Sequence, residues 1–236
     1  MIIGSISENK ELEKRISLTP EIAKKYISNG FEVLIDKGFG EHLGFSDDHF
    51  KKEGCKIENK ESIIDKSDII LQLNLLDDKY LNLLKENKVL IGNFNSSTNH
   101  QKISEVNKKK VSVFSLELLP RITRAQSMDI LSSQANLAGY KAVIEAFSNF
   151  EKAIPMMMTA AGTVPAAKVL VVGAGVAGLQ AIATAKRMGA IVFATDVRLA
   201  SKEQVESLGG KFLVVEGSEN LETEGGYAKE TSEEFK

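Results

Sequence analysis

A glycine-rich turn separates an apolar run from a helical pattern in the second half of the chain. The segment VLVVGAGVAG gives Gly173, Gly175 and Gly178 a G-x-G-x-x-G spacing. In this spacing the first glycine permits a tight turn, the second lets the backbone approach a pyrophosphate, and the third allows close packing of helix on strand. The helix that follows presents unpaired N–H groups and the positive end of its dipole to phosphate. The segment therefore predicts a dinucleotide-binding site.

A carboxylate ends the next predicted strand, at Asp196 in the segment IVFATD, 18 residues past Gly178. A carboxylate in this position can hydrogen-bond both ribose hydroxyls of the adenosine half and would repel a 2′-phosphate. Arg198 is a counter-indication, because a nearby arginine can accommodate a 2′-phosphate, although it could equally lie against the adenine. The carboxylate makes NAD(H) the favoured cofactor over NADP(H).

A second polar cluster lies upstream, in the segment PRITRAQSMDILSS. If a helix begins near Ala125, then Gln126, Asp129 and Ser132 share one polar face, because they are spaced at i, i+3 and i+6. Such a face is often simply solvated surface. A group of amide, carboxylate and hydroxyl side chains beside the Arg121 guanidinium could instead hold a carboxamide and a ribose. Spacing alone leaves both interpretations open.

The elements that must position these groups alternate β-type runs with helical patterns. The predicted strands of the first half are Met1–Ser5, Phe31–Ile35, Asp68–Leu73, Val89–Phe94 and Val111–Leu116, and the helices between them are Pro20–Asn29, Asp47–Glu53, Asp77–Glu86 and His100–Asn107. A long helical stretch follows from about Ala125 to Phe150. Beyond it, the predicted strands are Lys168–Val172, Ile191–Thr195 and Lys211–Val215, and the helices are Val176–Met188 and Ser201–Leu208. This alternation predicts α/β layers with a largely parallel sheet.

The predicted fold is α/β, with two Rossmann-like parallel-sheet domains joined by a long helix. Residues 1–124 form an N-terminal α/β domain, residues 125–150 the connecting helix, and residues 151–236 a partial Rossmann domain that binds NAD. The strands of the second domain make only one βαβαβ half of such a fold, so that domain is incomplete. The run Val169–Val172 would then be an exposed apolar edge beside the crevice where a nicotinamide binds.

Composition excludes several other classes of protein. The 236 residues carry 30 Lys+Arg and 32 Asp+Glu, a net charge of −2, which argues against a nucleic-acid-binding protein. One cysteine excludes a disulfide scaffold, and three scattered histidines predict no metal site. The chain lacks a signal peptide at its start and a run of about 20 apolar residues that could form a membrane helix. We therefore expect a soluble, cytoplasmic chain.

The chain resembles a known family over long segments. These segments are similar to the NAD(H)-binding domain of proton-translocating nicotinamide nucleotide transhydrogenase, in the N-terminal part of the alpha subunit. They read PRITRAQSMDILSSQANLAGYKAV, TAAGTVPAAKVLVVGAGVAGLQAIATAKRMGA and ATDVR. The resemblance covers most of the chain and is densest from Leu116 to Lys236.

The resemblance implies roles for three groups of residues. The residues near the nicotinamide would be Arg121, Gln126, Asp129 and Ser132. The residues on the adenosine side would be Gly173, Gly175, Val176, Gly178, Asp196, Val197 and Arg198. The segment EGGYAK, with Gly226 and Tyr227, is similar to a mobile loop that closes over bound nucleotide.

The resemblance also implies an activity and an assembly. NADH bound to this chain would transfer hydride directly to NADP⁺ bound by the beta subunit, and a membrane domain would couple the exchange to proton translocation. Exchange between two nicotinamide rings moves no substrate proton, so no catalytic side chain is implied. The chain would be a peripheral subunit on the cytoplasmic side of the inner (cell) membrane. It would be a homodimer bound to the membrane and NADP(H)-binding subunits.

Alanine dehydrogenase is the alternative within the same superfamily, because EKRISLTP and FGEHLGFSD resemble the N-terminal domain of both enzymes. Alanine dehydrogenase needs a lysine after the third strand and a histidine after the fourth. The corresponding places here hold Gln72 and Asn74, then Asn93 and Asn95. No general acid or base is present where amination requires one, and this absence favours transhydrogenase.

Further alternatives concern the end of the chain. In the family, the nucleotide-binding domain continues well past the mobile loop and the chain then returns to complete the first domain. A separately encoded C-terminal remainder could supply the missing segments, and this chain alone is then expected to be inactive. Alternatively, the chain is a non-catalytic, truncated remnant that binds nucleotide poorly. A module that only senses NAD is a weaker third interpretation.

Overall fold

The computed structural model describes residues 1–120 and 122–214. The chain forms two compact units, Met1–Asp129 and a second that begins at Ile130. None of the described helices combines the length and the hydrophobicity needed to cross a bilayer. The same residues contain no group of three or more histidine, cysteine, aspartate or glutamate side chains arranged to hold a metal ion.

The first unit is built on a six-stranded parallel sheet. Its strands are β1 (Ile2–Ser5), β2 (Glu32–Asp36), β3 (Lys56–Glu58), β4 (Ile69–Leu71), β5 (Val89–Gly92) and β6 (Ser112–Ser115). Its helices are α1 (Pro20–Ser28), α2 (Asp47–Lys52), α3 (Lys60–Lys66), α4 (Asp78–Leu83) and α5 (His100–Lys108). The order is β3-β2-β1-β4-β5-β6, and each neighbouring pair is parallel. The predicted α/β class is therefore confirmed, and β3 and α3 are additions to the predicted elements.

Both faces of this sheet are covered by apolar side chains. Along β2, Leu34 packs in one cluster with Ile63, while Val33 and Ile35 pack in another with Phe50. Successive side chains of a strand point to opposite faces, so β2 is buried on both. Burial on both faces is typical of a parallel sheet between two helical layers.

The strand order of the first unit changes direction at β1. From β1 the chain proceeds outward to β2 and β3, and it then returns to place β4 on the other side. In parallel sheets, ligands bind in the crevice outside the carboxyl ends of the strands at such a reversal. Ser5 and Leu71 border this crevice, and the Ser5 hydroxyl donates to the Leu71 carbonyl oxygen at 2.7 Å.

The second unit contains a smaller parallel sheet. Its helices are α6 (Ile130–Ser148), α7 (Val176–Arg187) and α8 (Ser201–Ser207). Its strands are β7 (Met157–Thr159), β8 (Gly162–Val164), β9 (Lys168–Val172), β10 (Ile191–Thr195) and β11 (Lys211–Phe212). β7 and β8 form an antiparallel pair, and the parallel sheet has the order β11-β10-β9. The predicted bounds of β9 and β10 are confirmed, β11 is shorter than predicted, and Val215 lies outside the described residues.

The long helix begins later than the sequence predicted. Thr123–Met128 is a 3₁₀ helix, and Asp129 has a ψ of 88°, so α6 begins only at Ile130. Threonine, glutamine, serine and aspartate in this segment compete with the backbone for hydrogen bonds, which disfavours a regular helix. The prediction that Gln126, Asp129 and Ser132 share one helical face was therefore wrong, because a 3₁₀ turn and a break lie between them. The helix also ends at Ser148 rather than Phe150.

A glycine lets α6 and α7 approach each other closely. Gly139 on α6 is buried, and a Cβ atom there would overlap the carbonyl oxygen of Ala177 and lie 2.8 Å from its carbon. Further along α7, Ile182 packs with Val192 of β10 in the apolar cluster of this unit. The position of α7 therefore depends on the absence of a side chain at Gly139.

Replacement of Gly139 by alanine is expected to destabilise the second unit by about 1–3 kcal/mol, although alanine favours a helix interior over glycine. The added methyl group must push α6 away from Ala177. Urea unfolding of the purified chain, followed by circular dichroism, measures the change. The matched control is Ala138→Ser, which adds one heavy atom at the exposed neighbouring position. Equal stability of Gly139→Ala and the unsubstituted chain would contradict this packing.

Candidate functional site

The turn after β9 has the backbone that its first glycine permits. Gly173 has a φ of +93°, which side-chain-bearing residues rarely adopt. A Cβ atom there would meet nothing within 4 Å, so the conformation rather than the space requires glycine. The Gly173 N–H donates to the carbonyl oxygen of Thr195 at 2.8 Å. This bond ties the turn to the end of β10, where Asp196 follows.

The other two glycines of the motif differ in their surroundings. A Cβ atom at Gly178 would overlap the carbonyl oxygen of Gly173 and lie 2.8 Å from its carbon. At Gly175 the nearest atom to an added Cβ would be Nη2 of Arg198, 3.9 Å away. Gly178 therefore serves close packing of α7 on the turn. Gly175, as the N-cap of α7, borders the open space that an approaching phosphate needs.

The carboxylate of Asp196 is held against the turn by several hydrogen bonds. Its Oδ2 accepts from the Ala174 N–H at 2.7 Å and from Nη2 of Arg198 at 2.9 Å. Its Oδ1 accepts from the backbone N–H of Arg198 at 2.8 Å and from its Nε at 2.9 Å. Only 5% of the Asp196 side chain is exposed. The carboxylate therefore lies at the mouth of the glycine turn, where a ribose of the adenosine half would reach it.

Burial and hydrogen bonding act in opposite directions on Asp196. Burial raises the pKa of its carboxyl group, but the bonds from Arg198 and from the Ala174 N–H outweigh it and lower the pKa below the ordinary value. The group is therefore ionised at neutral pH and attracts hydroxyl donors. A 2′-phosphate would meet this negative charge, and Arg198 is already engaged in neutralising it.

The remaining predicted residues of this side lie close by. Val176 is exposed at the first position of α7, and Val197 is half-buried between Asp196 and Arg198. Sequence reasoning missed Ala174, whose backbone N–H binds the Asp196 carboxylate. Because a backbone donor is independent of residue type, only the position of Ala174 inside the glycine motif could have indicated it.

The residues predicted to lie near the nicotinamide are divided between the two units. Gln126 is exposed in the 3₁₀ helix and Asp129 is half-buried, both in the first unit. Ser132, in the second unit, lines an open groove of about 570 Å³ that Val176 also borders. The structure therefore brings one residue of this group beside the start of α7. Arg121, Gly226 and Tyr227 lie outside the described residues.

The sheet of the second unit has an apolar edge among the residues that the structure describes. β9 is the outer strand next to β10, and Leu170 and Val172 point to a face without cover. Val172 is 78% exposed and Leu170 is 59% exposed. Exposed apolar strands at a sheet edge are sites for further pairing.

The crevice of the first unit carries amides where the alternative enzyme would need acids and bases. Asn74, Asn93 and Asn95 line a cavity of about 480 Å³ beyond the ends of β4 and β5. The Arg15 guanidinium lies 2.6 Å from Glu13 and lowers the pKa of that carboxyl to about 2. An amide side chain does not exchange protons near neutral pH, so these positions supply no general acid or base.

The glycine turn, the N-terminus of α7 and the ionised carboxylate together define a Rossmann-like nucleotide-binding protein. Comparison with known families narrows this class. The models of the N-terminal and C-terminal domains of alanine dehydrogenase/PNT match residues 4–138 and 142–234. The chain belongs to the alanine dehydrogenase/PNT family.

Similar proteins support the resemblance to transhydrogenase. The first of the polypeptides that make up NAD(P) transhydrogenase subunit alpha in Rhodospirillum rubrum is 48% identical over 244 residues, which span all of this chain and 64% of the relative. The structure of a transhydrogenase from Sinorhizobium meliloti is 46% identical with a TM-score of 0.86, over 92% of this chain and 62% of that one. An L-alanine dehydrogenase structure shares the fold, with a TM-score of 0.75 at 19% identity, over 90% of this chain and 60% of that one. The chain thus spans less than two thirds of the length of these proteins.

Substitution of the second and third glycines by alanine should have separable effects. Gly178→Ala is expected to lower the free energy of unfolding by about 1–3 kcal/mol, because the methyl group overlaps the turn. Gly175→Ala is the matched control, with an expected loss below about 1 kcal/mol, because the space beside it is open and only the N-cap preference changes. Urea unfolding of both variants measures the difference. A larger loss for Gly175→Ala would contradict the assigned roles.

Proposed function

We propose that this chain is the NAD(H)-binding component of a proton-translocating transhydrogenase. The observation that carries the proposal is the Gly173–Gly178 turn with the ionised Asp196 beside it. This arrangement occurs in a chain that is 48% identical along its whole length to a transhydrogenase alpha subunit. Hydride would leave the nicotinamide of NADH bound here and enter that of NADP⁺ on the partner beta subunit, which yields NAD⁺ and NADPH.

The adenosine half of the cofactor would bind at the turn. Its pyrophosphate would lie beside Gly175 and the first N–H groups of α7, where an added Cβ would meet only Arg198 Nη2 at 3.9 Å. Asp196 would accept from the ribose hydroxyls, with Val176, Gly178, Val197 and Arg198 around it. The buried, ionised carboxylate supports a preference for NADH over NADPH.

The nicotinamide half would contact Arg121, Gln126, Asp129 and Ser132. An amide, a carboxylate, a hydroxyl and a guanidinium suit a carboxamide and a ribose by hydrogen bonding. The loop with Gly226 and Tyr227 would close over the bound nucleotide and exclude water. Direct hydride exchange needs no proton donor, and the amides of Asn74, Asn93 and Asn95 are consistent with that chemistry rather than with amination.

The working assembly would include several partners. The exposed edge at Leu170 and Val172 supports completion of the sheet by the region of the relatives that this chain does not span, whether in the same or a separately encoded polypeptide. The assembly would be a homodimer at the cytoplasmic side of the inner (cell) membrane. It would be bound to the membrane and NADP(H)-binding subunits, and this chain alone would be inactive.

A fluorescence titration with NADH tests the proposal, on this chain alone and together with the completing polypeptide, with NADPH as the competing nucleotide. We expect tight binding that prefers NADH only when the second polypeptide is present, because the nicotinamide crevice needs strands beyond β9. Gly175→Ala should weaken that binding at least about tenfold, since its methyl group fills the space proposed for the pyrophosphate. Absence of NADH binding in both preparations would contradict the proposal and favour a non-catalytic remnant.

A further inference from the structure

A carboxylate of the chain itself occupies the crevice at the strand reversal of the first unit. Oε1 of Glu8 accepts hydrogen bonds from the backbone N–H of Leu73 at 2.8 Å and from that of Asn74 at 3.2 Å. Its Oε2 accepts from Nδ2 of Asn74 at 3.2 Å. The Nε2 of Gln72 also donates to Oε1, at 3.2 Å. Every one of these donors belongs to the segment that follows β4.

The orientation of one donor is fixed from the opposite side. Gln72 is 5% exposed, and its Oε1 accepts the backbone N–H of Ile6 at 2.9 Å. A backbone N–H can only donate, so the amide oxygen must face Ile6 and the amide nitrogen must face Glu8. The donor arrangement is therefore set by the main chain after β1, in addition to Glu8 itself.

The donor set matches the chemistry of a carboxylate. An ionised carboxylate accepts hydrogen bonds at both oxygens and donates none, and here two adjacent backbone N–H groups and two side-chain amides converge on one. Hydrogen bonds to a charged acceptor are stronger than those between neutral groups. A neutral amide in the same place would bring its own N–H groups against these donors. The segment Gln72–Asn74 is thus built to recognise a small carboxylate.

Space for a ligand lies directly beside these donors. A cavity of about 520 Å³ is lined by Glu8, Gln72, Asn74, Lys60 and Tyr80. It lies in the place where parallel sheets bind ligands, outside the carboxyl ends of β1 and β4. If the Glu8 side chain were absent, a free carboxylate could reach the same donors from this cavity.

We propose that the end of β4 is a carboxylate-binding site whose resident ligand is Glu8, and that Glu8 closes the crevice to free small monocarboxylates. A group tethered to the chain has a high effective concentration at its own site, so a dissolved acid does not displace it. Removal of the Glu8 side chain leaves the donors in place and opens the site. This inference concerns the first unit alone and is independent of the nucleotide site proposed above.

Chemical rescue tests the site. Glu8→Ala should unfold at a lower temperature than the unsubstituted chain, and sodium acetate should raise its Tm in a saturable manner relative to sodium chloride of equal ionic strength. At ten times the dissociation constant the rise should be about 3–5 °C. Acetamide, which has the same shape without the charge, should give no rise. The matched control is Glu11→Ala, which removes an exposed glutamate from the same loop and should respond to acetate no more than the unsubstituted chain.

The outcomes separate the proposal from a merely structural role of Glu8. No acetate effect on Glu8→Ala, or an equal effect on the unsubstituted chain and on Glu11→Ala, would overturn it. If Glu8→Ala does not fold in chloride, the same comparison is made by refolding. Recovery in acetate alone supports the site, and no difference between the salts overturns it. Glu8→Gln keeps the side chain in the crevice and should be destabilised without acetate rescue, so unchanged stability of this variant would also overturn the proposal.

Discussion

The close approach of backbones at the first turn of α7 is the constraint on which the second unit depends. Ala177 and Gly178 are neighbours in this turn, and each touches a different region of the unit. Gly178 meets the carbonyl group of Gly173 in the glycine turn, and Ala177 meets Gly139 of α6, both at separations that leave no room for a Cβ. One helical turn therefore fixes the glycine turn on one side and α6 on the other. The N–H groups at the start of α7 are held in place as a result.

The two units use the same parallel-sheet architecture with opposite results at their crevices. In the second unit the space beside Gly175 is open, and the carboxylate of Asp196 lies against the Ala174 N–H at its mouth. In the first unit the crevice between β1 and β4 is filled by Glu8, and Arg15 is paired with Glu13. An open crevice with a glycine turn suits a dinucleotide. A crevice that the chain closes with its own carboxylate suits a unit that supports binding elsewhere.

Local patterns predicted much of this fold, and long-range contacts account for what they missed. The alternation of strands and helices and the glycine motif are local, so β9, β10 and the start of α7 were predicted correctly. The start of α6 was wrong because polar residues near Asp129 stop a regular helix that spacing alone suggests. β3 escaped notice because Lys56–Glu58 has a single apolar residue. The bond between Glu8 and Gln72 joins positions 64 residues apart and depends on the pairing of β1 with β4. No sequence pattern signals it.

Calorimetric titration of this chain with ADP-ribose and with its 2′-phosphorylated form tests the central claim most directly, because the adenosine half needs only the strands that the structure describes. We predict that ADP-ribose binds at least about tenfold more tightly, a difference of about 1.4 kcal/mol, and that Asp196→Asn narrows this difference. Asparagine keeps the shape of the side chain and removes its charge. Equal binding of the two ligands to the unsubstituted chain, or an unchanged preference in Asp196→Asn, would contradict the role assigned to this carboxylate.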